Sequence, residues 1–322
     1  MAVFTKLTNS EIASHLRKYS IGEFLSFQEI IAGIDNSNFF LNTTKGKFIL
    51  TIFESRINKN DLPFFINFKL HLAQNGISCP RPIVDNKGQI IVELKEKKSV
   101  IVTFLDGKNL QPQDDGYYNN ITTKHCEEVG KILAQMHLAA KSFKVWRKND
   151  LAVDCFKPLF KKIASHVAKY QKNLDEEILQ EINFIETHWK PNLPGVAAHL
   201  DLFPDNVFFD ENKNVTGVID FYFAANDLAI YDFAIVVNAW CFDEKNNFIE
   251  EKFLAIKNNY ENLRNFLPEE LAFLKIACRA AAMRFLLTRL HDMFFTTENS
   301  LVKIKNPQEY LAKLNYFQNS PK

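Results

Sequence analysis

The sequence has only five cysteines, no long apolar run and almost no net charge, and each of these shortages excludes a class of protein. The cysteines are Cys79, Cys126, Cys155, Cys241 and Cys278. Their odd number and wide spacing, without any C-x-x-C pair, argue against a disulfide framework and against a structural zinc site. The longest apolar candidate, residues 234–242, is far shorter than the ~20 residues of a membrane-spanning helix. We therefore expect free thiols and no membrane partner.

The charge balance argues against a polyanionic partner. Lysine and arginine together number 39 and aspartate and glutamate 38, which gives a net charge of +1. Nucleic-acid-binding proteins usually carry a basic excess, so we expect no nucleic-acid partner. The first residues, MAVFTKLTNSE, lack the apolar stretch of a secretory signal. Together with the free thiols, this predicts a cytoplasmic protein.

The chain changes character near residue 107. Before that point, short apolar runs predict strands over 24–31, 39–43, 48–54, 90–94 and 99–104. Helices are predicted over 10–19 and 62–75. After it, helical spacing of apolar residues predicts helices over 122–140, 158–170, 176–189, 231–241, 248–266 and 268–294. We therefore expect a small β-rich lobe over residues 1–106, a hinge at about 102–107, and a larger, mainly helical lobe over 107–322.

The most informative segment runs from His199 to Asn206 (HLDLFPDN) and is followed by Asp220 in the sequence VIDF. Phosphoryl transfer from ATP needs a carboxylate that orients the acceptor hydroxyl, and Asp201 fits this role. It also needs oxygen ligands for Mg, and Asn206 and Asp220 are suitable hard donors. The pattern H-x-D-x-x-x-x-N followed by I-D-F is typical of protein-kinase-like enzymes. The competing interpretation is a strand-turn-strand whose polar residues merely cap the turn.

On these motifs the chain resembles the aminoglycoside phosphotransferase and choline kinase superfamily, and more narrowly its homoserine kinase branch. The resemblance covers nearly the whole chain and is carried by residues 33–39, 48–54, 61–65, 79–82, 102–107, 201–208, 219–223, 238–241 and 284–290. It implies an α+β, two-lobed protein-kinase-like fold, with a small antiparallel-sheet N-lobe and a larger, mainly helical C-lobe. It also implies ATP and Mg as cofactors and L-homoserine as the small-molecule substrate, phosphorylated on the route to threonine.

The resemblance further implies roles for individual residues. Asp201 would be the catalytic base and His199 would brace its loop, while Asn206 and Asp220 would hold Mg. The nucleotide would be bound by a phosphate-covering loop, the third strand and the hinge segment. The residues expected there are Gly33, Asn36, Ser37, Asn38, Thr51, Thr103, Phe104 and Leu105.

The third strand departs from the pattern of the protein kinases. Thr51 lies where a lysine usually grips the phosphates, so another cation has to do this, and Lys47, Arg56 and Arg81 are the candidates. The helix that follows has no glutamate over residues 62–70, so the usual lysine–glutamate ion pair is not expected.

Four residues are candidates for contact with the acceptor: Asp227, Arg284, Tyr222 and Trp240. Asp227 would receive an ammonium group or simply turn the chain, and Arg284 would bind a carboxylate or form a structural salt bridge. Tyr222 and Trp240 would line the acceptor pocket or pack in the core.

The long helix over residues 268–294 also carries Arg279 and Arg289, each five residues from Arg284. Such steps point around the helix, so we expect at least one of the three arginines to be exposed and Arg284 to point inward. Asp232 is expected to cap its helix or to support the catalytic loop. His137 is expected to be a packed histidine rather than a ligand.

Two other functions are compatible with the same residues. A related kinase would phosphorylate choline, which needs an aromatic cage, or an aminoglycoside, which needs many acidic residues, or a sugar. A catalytically silent nucleotide-binding scaffold is favoured by the missing third-strand lysine. The intact set of Asp201, Asn206 and Asp220 argues against the scaffold.

Overall fold

The computed structural model describes residues 4–30, 36–54, 58–113, 116–296 and 304–320, which fall into two compact units. Described residues up to Asp106 belong to the first unit, and those from Gly107 to Thr296 and from Ile304 onward belong to the second. In these ranges no helix combines the length and the apolar character needed to cross a membrane.

The first unit is built on a five-stranded antiparallel sheet with the strand order β1-β2-β3-β5-β4. Its elements are α1 (Asn9–Leu16), β1 (Phe24–Ile30), β2 (Asn36–Thr43), β3 (Gly46–Phe53), α2 (Leu62–Gln74), β4 (Val92–Leu94) and β5 (Lys97–Thr103). Alternation along β2 and β3 directs Phe39 and Leu50 to one face, where they pack with Ile12 of α1. The neighbouring residues Asn38 and Thr51 consequently lie on the opposite face.

The second unit is mainly helical. Its helices are α3 (Thr123–Ala140), α4 (Phe156–Tyr170), α5 (Leu174–His188), α6 (Ala229–Trp240), α7 (Glu250–Glu261), α8 (Pro268–Phe295) and α9 (Gln308–Asn319). Its strands are β6 (Lys108–Asn109), β7 (Gly195–Ala198), β8 (Val207–Phe209), β9 (Val215–Val218) and β10 (Ala225–Leu228). They form a β10-β7 ribbon and a β6-β8-β9 sheet, all antiparallel. The sequence did not predict α9, β6 or β10.

Helix α8 lies at the centre of the second unit, and none of its three candidate arginines is exposed. Arg279 pairs with Glu181 of α5 and leaves only 12% of its side chain exposed, while Arg289 pairs with Glu309 of α9. Arg284 is buried, as expected. The expectation of an exposed arginine is wrong because α4, α5, α6 and α9 surround α8, and α9 was not foreseen.

Candidate active site

The catalytic loop spans residues 199–206 and joins the end of β7 to the start of β8. Leu200 has a φ of +61°, a left-handed conformation that is costly for a leucine and needs support from its surroundings. Side chains of two core helices provide part of that support. Arg284 Nη1 donates to the Leu200 carbonyl at 2.6 Å, and Trp240 Nε1 donates to the Leu202 carbonyl at 2.8 Å.

The fully buried carboxylate of Asp232, in the first turn of α6, binds the start of the loop. Its Oδ2 accepts the His199 N–H at 3.1 Å and its Oδ1 accepts the Leu200 N–H at 2.8 Å. His137 Nε2 lies 3.0 Å from Oδ2, and His137 Nδ1 lies 2.7 Å from the Tyr260 hydroxyl. Burial alone would raise the pKa of Asp232, but the hydrogen bond and charge of His137 lower it below its usual value. The expected supporting role of Asp232 and the packed position of His137 are confirmed.

His199 connects the catalytic loop to the segment that carries Asp220. Its Nδ1 accepts the Asp201 N–H at 3.3 Å, and its Nε2 is 2.9 Å from the Ile219 carbonyl. A neutral ring with the proton on Nε2 satisfies both contacts. Burial lowers the pKa of His199, which favours this neutral form. The geometry is that of a brace, the role predicted for this residue.

Asp201, Asn206 and Asp220 are brought together by local hydrogen bonds. Asn206 Nδ2 donates to the Asp201 carbonyl at 2.8 Å and lies 3.4 Å from its Oδ2. Ile219 N–H donates to the Asn206 carbonyl at 2.9 Å, and Asp220 follows directly with a left-handed φ of +61°. Because the amide nitrogen of Asn206 faces Asp201, its Oδ1 remains as the acceptor for a cation.

The oxygen donors of this cluster fit a magnesium ion. Mg²⁺ is usually held by one or two protein oxygens together with substrate phosphates and water, and Asn206 and Asp220 supply an amide and a carboxylate oxygen. Within the described ranges, no group of three histidine, cysteine, aspartate or glutamate side chains is arranged to hold a metal by itself. An ion here would therefore depend on the phosphates of a nucleotide for its remaining ligands.

Arg284 is the acceptor candidate with the most unusual surroundings. It is 2% exposed, no carboxylate of the described residues forms an ion pair with it, and its Nε has no hydrogen-bond partner. Its guanidinium carbon lies 4.8 Å from the ring centre of Phe285 and 5.6 Å from that of Phe223. The structural salt bridge that was the alternative for Arg284 is thus not seen.

One of the other acceptor candidates, Trp240, serves the fold. Trp240 is fully buried and its N–H is bound to the catalytic loop, so the prediction that it lines a pocket is wrong. Asp227 pairs with Val196 in the β10-β7 ribbon. The pair next to the catalytic loop is Ala225 and Ala198, two positions further along. Its carboxylate accepts Asn149 Nδ2 at 2.6 Å and the Leu228 N–H at 2.8 Å, and burial raises its pKa. The role of Asp227 at the acceptor stays a prediction, as does that of Tyr222, which is half-buried just after Asp220.

In the first unit, the predicted phosphate-loop residues point in opposite directions. Thr51 Oγ1 donates to Asn38 Oδ1 at 2.8 Å across the β2–β3 pair, and Asn36 shares their face by alternation. Ser37 points to the other face, where its buried hydroxyl donates to Glu54 Oε1 at 2.6 Å. Its side chain is therefore unavailable to a phosphate, which corrects that prediction. Gly33 lies outside the described residues.

Some groups of the predicted hinge segment are already bonded or packed within the first unit. Thr103 N–H donates to the Arg81 carbonyl, and its hydroxyl accepts the Arg81 N–H, each at 2.9 Å. Phe104 packs edge-on against Phe40 at 5.4 Å, and Lys47 Nζ lies 5.6 Å from the Phe104 ring centre. Leu105 is half-buried. The backbone groups of Phe104 and Leu105 thus remain as candidates for an adenine contact.

Sequence analysis missed one cation in this unit. Lys69 of α2 is 5% exposed and is the one buried lysine or arginine among the described residues of the first unit. The other buried residues of α2 are all apolar, and a charged residue at helical spacing among them was the available signal. Of the cations proposed from sequence, Arg81 is exposed and Arg56 lies outside the described residues.

Comparison with known sequences gives a consistent result. The chain matches the phosphotransferase enzyme family over residues 26–266. It is 44% identical to the homoserine kinase of Bartonella henselae, in an alignment that covers 99% of this chain and 97% of that relative. It is 42% identical to the homoserine kinase of Agrobacterium fabrum, with 98% of this chain and 95% of the relative covered.

Solved structures with a similar fold are also phosphotransferases. A spectinomycin phosphotransferase in complex with ADP and spectinomycin superposes with a TM-score of 0.67 at 13% identity, covering 98% of this chain and 96% of that one. An amicoumacin kinase in complex with AMP-PNP and Ca²⁺ gives a TM-score of 0.68 at 14% identity, covering 97% and 92%. These likenesses confirm the predicted α+β, two-lobed protein-kinase-like fold.

We predict that Asp232→Asn lowers the free energy of unfolding by about 3 kcal/mol, because an amide nitrogen would face N–H donors in a buried site. Urea unfolding followed by circular dichroism measures this. The control is Asp210→Asn in the exposed β8–β9 turn, which should cost less than about 1 kcal/mol. Equal stability of Asp232→Asn and the parent protein would contradict the anchoring role.

Proposed function

Because the chain belongs to the phosphotransferase enzyme family, we propose that it acts as a homoserine kinase, transferring the γ-phosphoryl group of ATP to the side-chain hydroxyl of L-homoserine. The products are O-phospho-L-homoserine and ADP. The observation that carries this proposal is the 40–44% identity to homoserine kinases over 98–99% of this chain. The catalytic loop supports it, since it carries a carboxylate and an amide oxygen, groups of the kind that phosphoryl transfer to a hydroxyl uses.

Asp201 is proposed to orient the acceptor hydroxyl and to take its proton. The hydroxyl oxygen then forms a bond to the γ-phosphorus, while the bond to the oxygen that bridges the β- and γ-phosphates breaks and ADP leaves. Such transition states are loose, so the position of the carboxylate matters more than its basicity. That position is set by the contacts of Asp201 with His199 and Asn206.

Asn206 and Asp220 are proposed to hold Mg through their side-chain oxygens. When bound, the ion supplies positive charge against the phosphate oxygens. The chain itself contributes the orientation of the Asn206 amide, fixed by its hydrogen bond to Asp201.

The first unit is proposed to bind the nucleotide on the face that carries Asn38 and Thr51, with Lys69 as the cation for the phosphates. Lys69 is buried on α2, where a positive charge acts through a lower dielectric than at the surface. Lys69 would take the role of the third-strand lysine, whose position is occupied by Thr51.

Arg284 is proposed to bind the α-carboxylate of the acceptor. A buried guanidinium is costly unless an anion compensates it, and its planar fork matches a carboxylate. This favours an amino acid as acceptor over choline, which has no carboxylate, and over an aminoglycoside, which is polycationic.

The substrate class is tested by a coupled ADP-release assay with L-homoserine, choline, kanamycin, methylthioribose and L-serine. We predict efficient turnover with L-homoserine alone, and a loss of about 10²–10⁴ in kcat for Asp201→Asn with ATP binding retained. Asp210→Asn is the matched control and should behave like the parent. Turnover of another compound would redirect the proposal to that acceptor, whereas ATP binding without any turnover would favour the scaffold.

We predict that Lys69→Met raises the KM for ATP about tenfold or more, because a charge close to the phosphates is lost, while the KM for L-homoserine changes less than about threefold. The comparison is Lys45→Met in the exposed β2–β3 turn, which should leave both constants unchanged. An unaltered KM for ATP in Lys69→Met would show that another cation grips the phosphates.

A further inference from the structure

Helix α9 contributes a buried tyrosine whose hydroxyl has no hydrogen-bond partner. Tyr310 is 0% exposed, and its Oη makes no hydrogen bond within the described residues. Leaving a buried hydroxyl unpaired costs roughly 1–3 kcal/mol, and native proteins contain few such groups. The hydroxyls of Tyr19, Tyr118 and Tyr231 are buried without a partner as well, so the position of Tyr310 has to distinguish it.

Ring contacts relate Tyr310 to the catalytic loop. Its ring centre lies 5.0 Å from that of Phe285 on α8, and Phe285 lies 5.0 Å from Phe203 of the catalytic loop. Arg284 contacts the same Phe285 ring, with its guanidinium carbon 4.8 Å from the ring centre. Phe285 is thus the shared neighbour of Tyr310, Arg284 and the loop.

The electrostatic surroundings keep Tyr310 a hydrogen-bond donor. Burial raises its pKa well above the usual value, the carboxylates of Glu309 and Asp201 raise it too, and the charges of Arg289 and Arg284 lower it. Its ring lies against two cationic groups, with Arg289 4.4 Å and Lys313 4.6 Å from the ring centre. The hydroxyl is therefore protonated near neutral pH and suited to an anionic acceptor atom.

Arg284 Nε and Tyr310 Oη, on neighbouring helices, are two of the buried donors without hydrogen-bond partners, and the hydroxyls of Tyr118 and Tyr231 are others. The charges of both Arg284 and the loop residue Asp201 act on the Tyr310 hydroxyl. A carboxylate has two oxygens and accepts one hydrogen bond from each donor. We infer that the Tyr310 hydroxyl donates a hydrogen bond to the α-carboxylate of the acceptor beside Arg284, so that α9 selects amino acids over amino alcohols. This inference rests on the proposed homoserine kinase activity.

The test compares Tyr310→Phe with the parent protein on two acceptors, L-homoserine and 3-aminopropan-1-ol. The second compound keeps the hydroxyl, the carbon chain and the ammonium of homoserine but has no carboxylate. We expect kcat/KM for homoserine to fall about 10–100-fold, and that for 3-aminopropan-1-ol to change less than about twofold. Where the amino alcohol is not phosphorylated, its inhibition constant against homoserine replaces kcat/KM. Tyr316→Phe, the same change elsewhere on α9, should alter neither value.

Stability provides a second readout. Removal of an unpaired hydroxyl should leave the free energy of unfolding of Tyr310→Phe unchanged or higher, while a loss above about 1 kcal/mol would reveal a structural partner and overturn the inference. An equal loss with both acceptors, or no loss with homoserine, would also overturn it. If the parent protein does not phosphorylate homoserine, the proposed function fails and the inference fails with it. If the parent protein phosphorylates homoserine and Tyr310→Phe does so equally well, the inference is rejected and the proposed function stands.

Discussion

The bond between the buried Asp232 carboxylate and two consecutive backbone N–H groups is the contact on which the candidate site depends. It holds His199 and Leu200 where Leu200 takes a left-handed conformation, and this turns the chain so that the Asp201 N–H meets the His199 ring. The same ring reaches Ile219, the residue before Asp220. One carboxylate on α6 therefore sets the relative positions of the proposed base and of both proposed metal ligands.

The core helices both build the scaffold and hold the functional loop. Trp240 at the end of α6 and Arg284 on α8 bind loop carbonyls, so the catalytic loop is fixed by side chains that belong to the packed interior. A reaction that depends on position rather than on basicity benefits from such rigidity, because little reorganisation is needed at the moment of transfer. In this account Arg284 has a second task, since the donor it does not use for the loop remains for the acceptor.

The sequence was sufficient for the loop chemistry and for most elements, and insufficient for side chains whose surroundings come from distant segments. Asp201, Asn206 and Asp220 were recognisable because their spacing is imposed by a short local structure. The choice between pocket lining and core packing for Trp240 stayed open, because its burial depends on packing against segments far away in the sequence. The burial of all three arginines of α8 was not predicted because α9 was not predicted. The helical spacing of Tyr310, Leu311, Leu314 and Phe317 was the available signal for α9. The prediction for Ser37 was wrong because β2 begins earlier than predicted, so the face of the sheet to which Ser37 points was not foreseen.

Hydrogen exchange of the His199 and Leu200 amides in the unmodified protein measures whether the buried Asp232 carboxylate anchors the catalytic loop. Amides that donate to a buried carboxylate exchange only when the surrounding core opens. We expect both amides to exchange as slowly as those of the interior of α6. Exchange as fast as that of the exposed turn at residues 210–214 would contradict it.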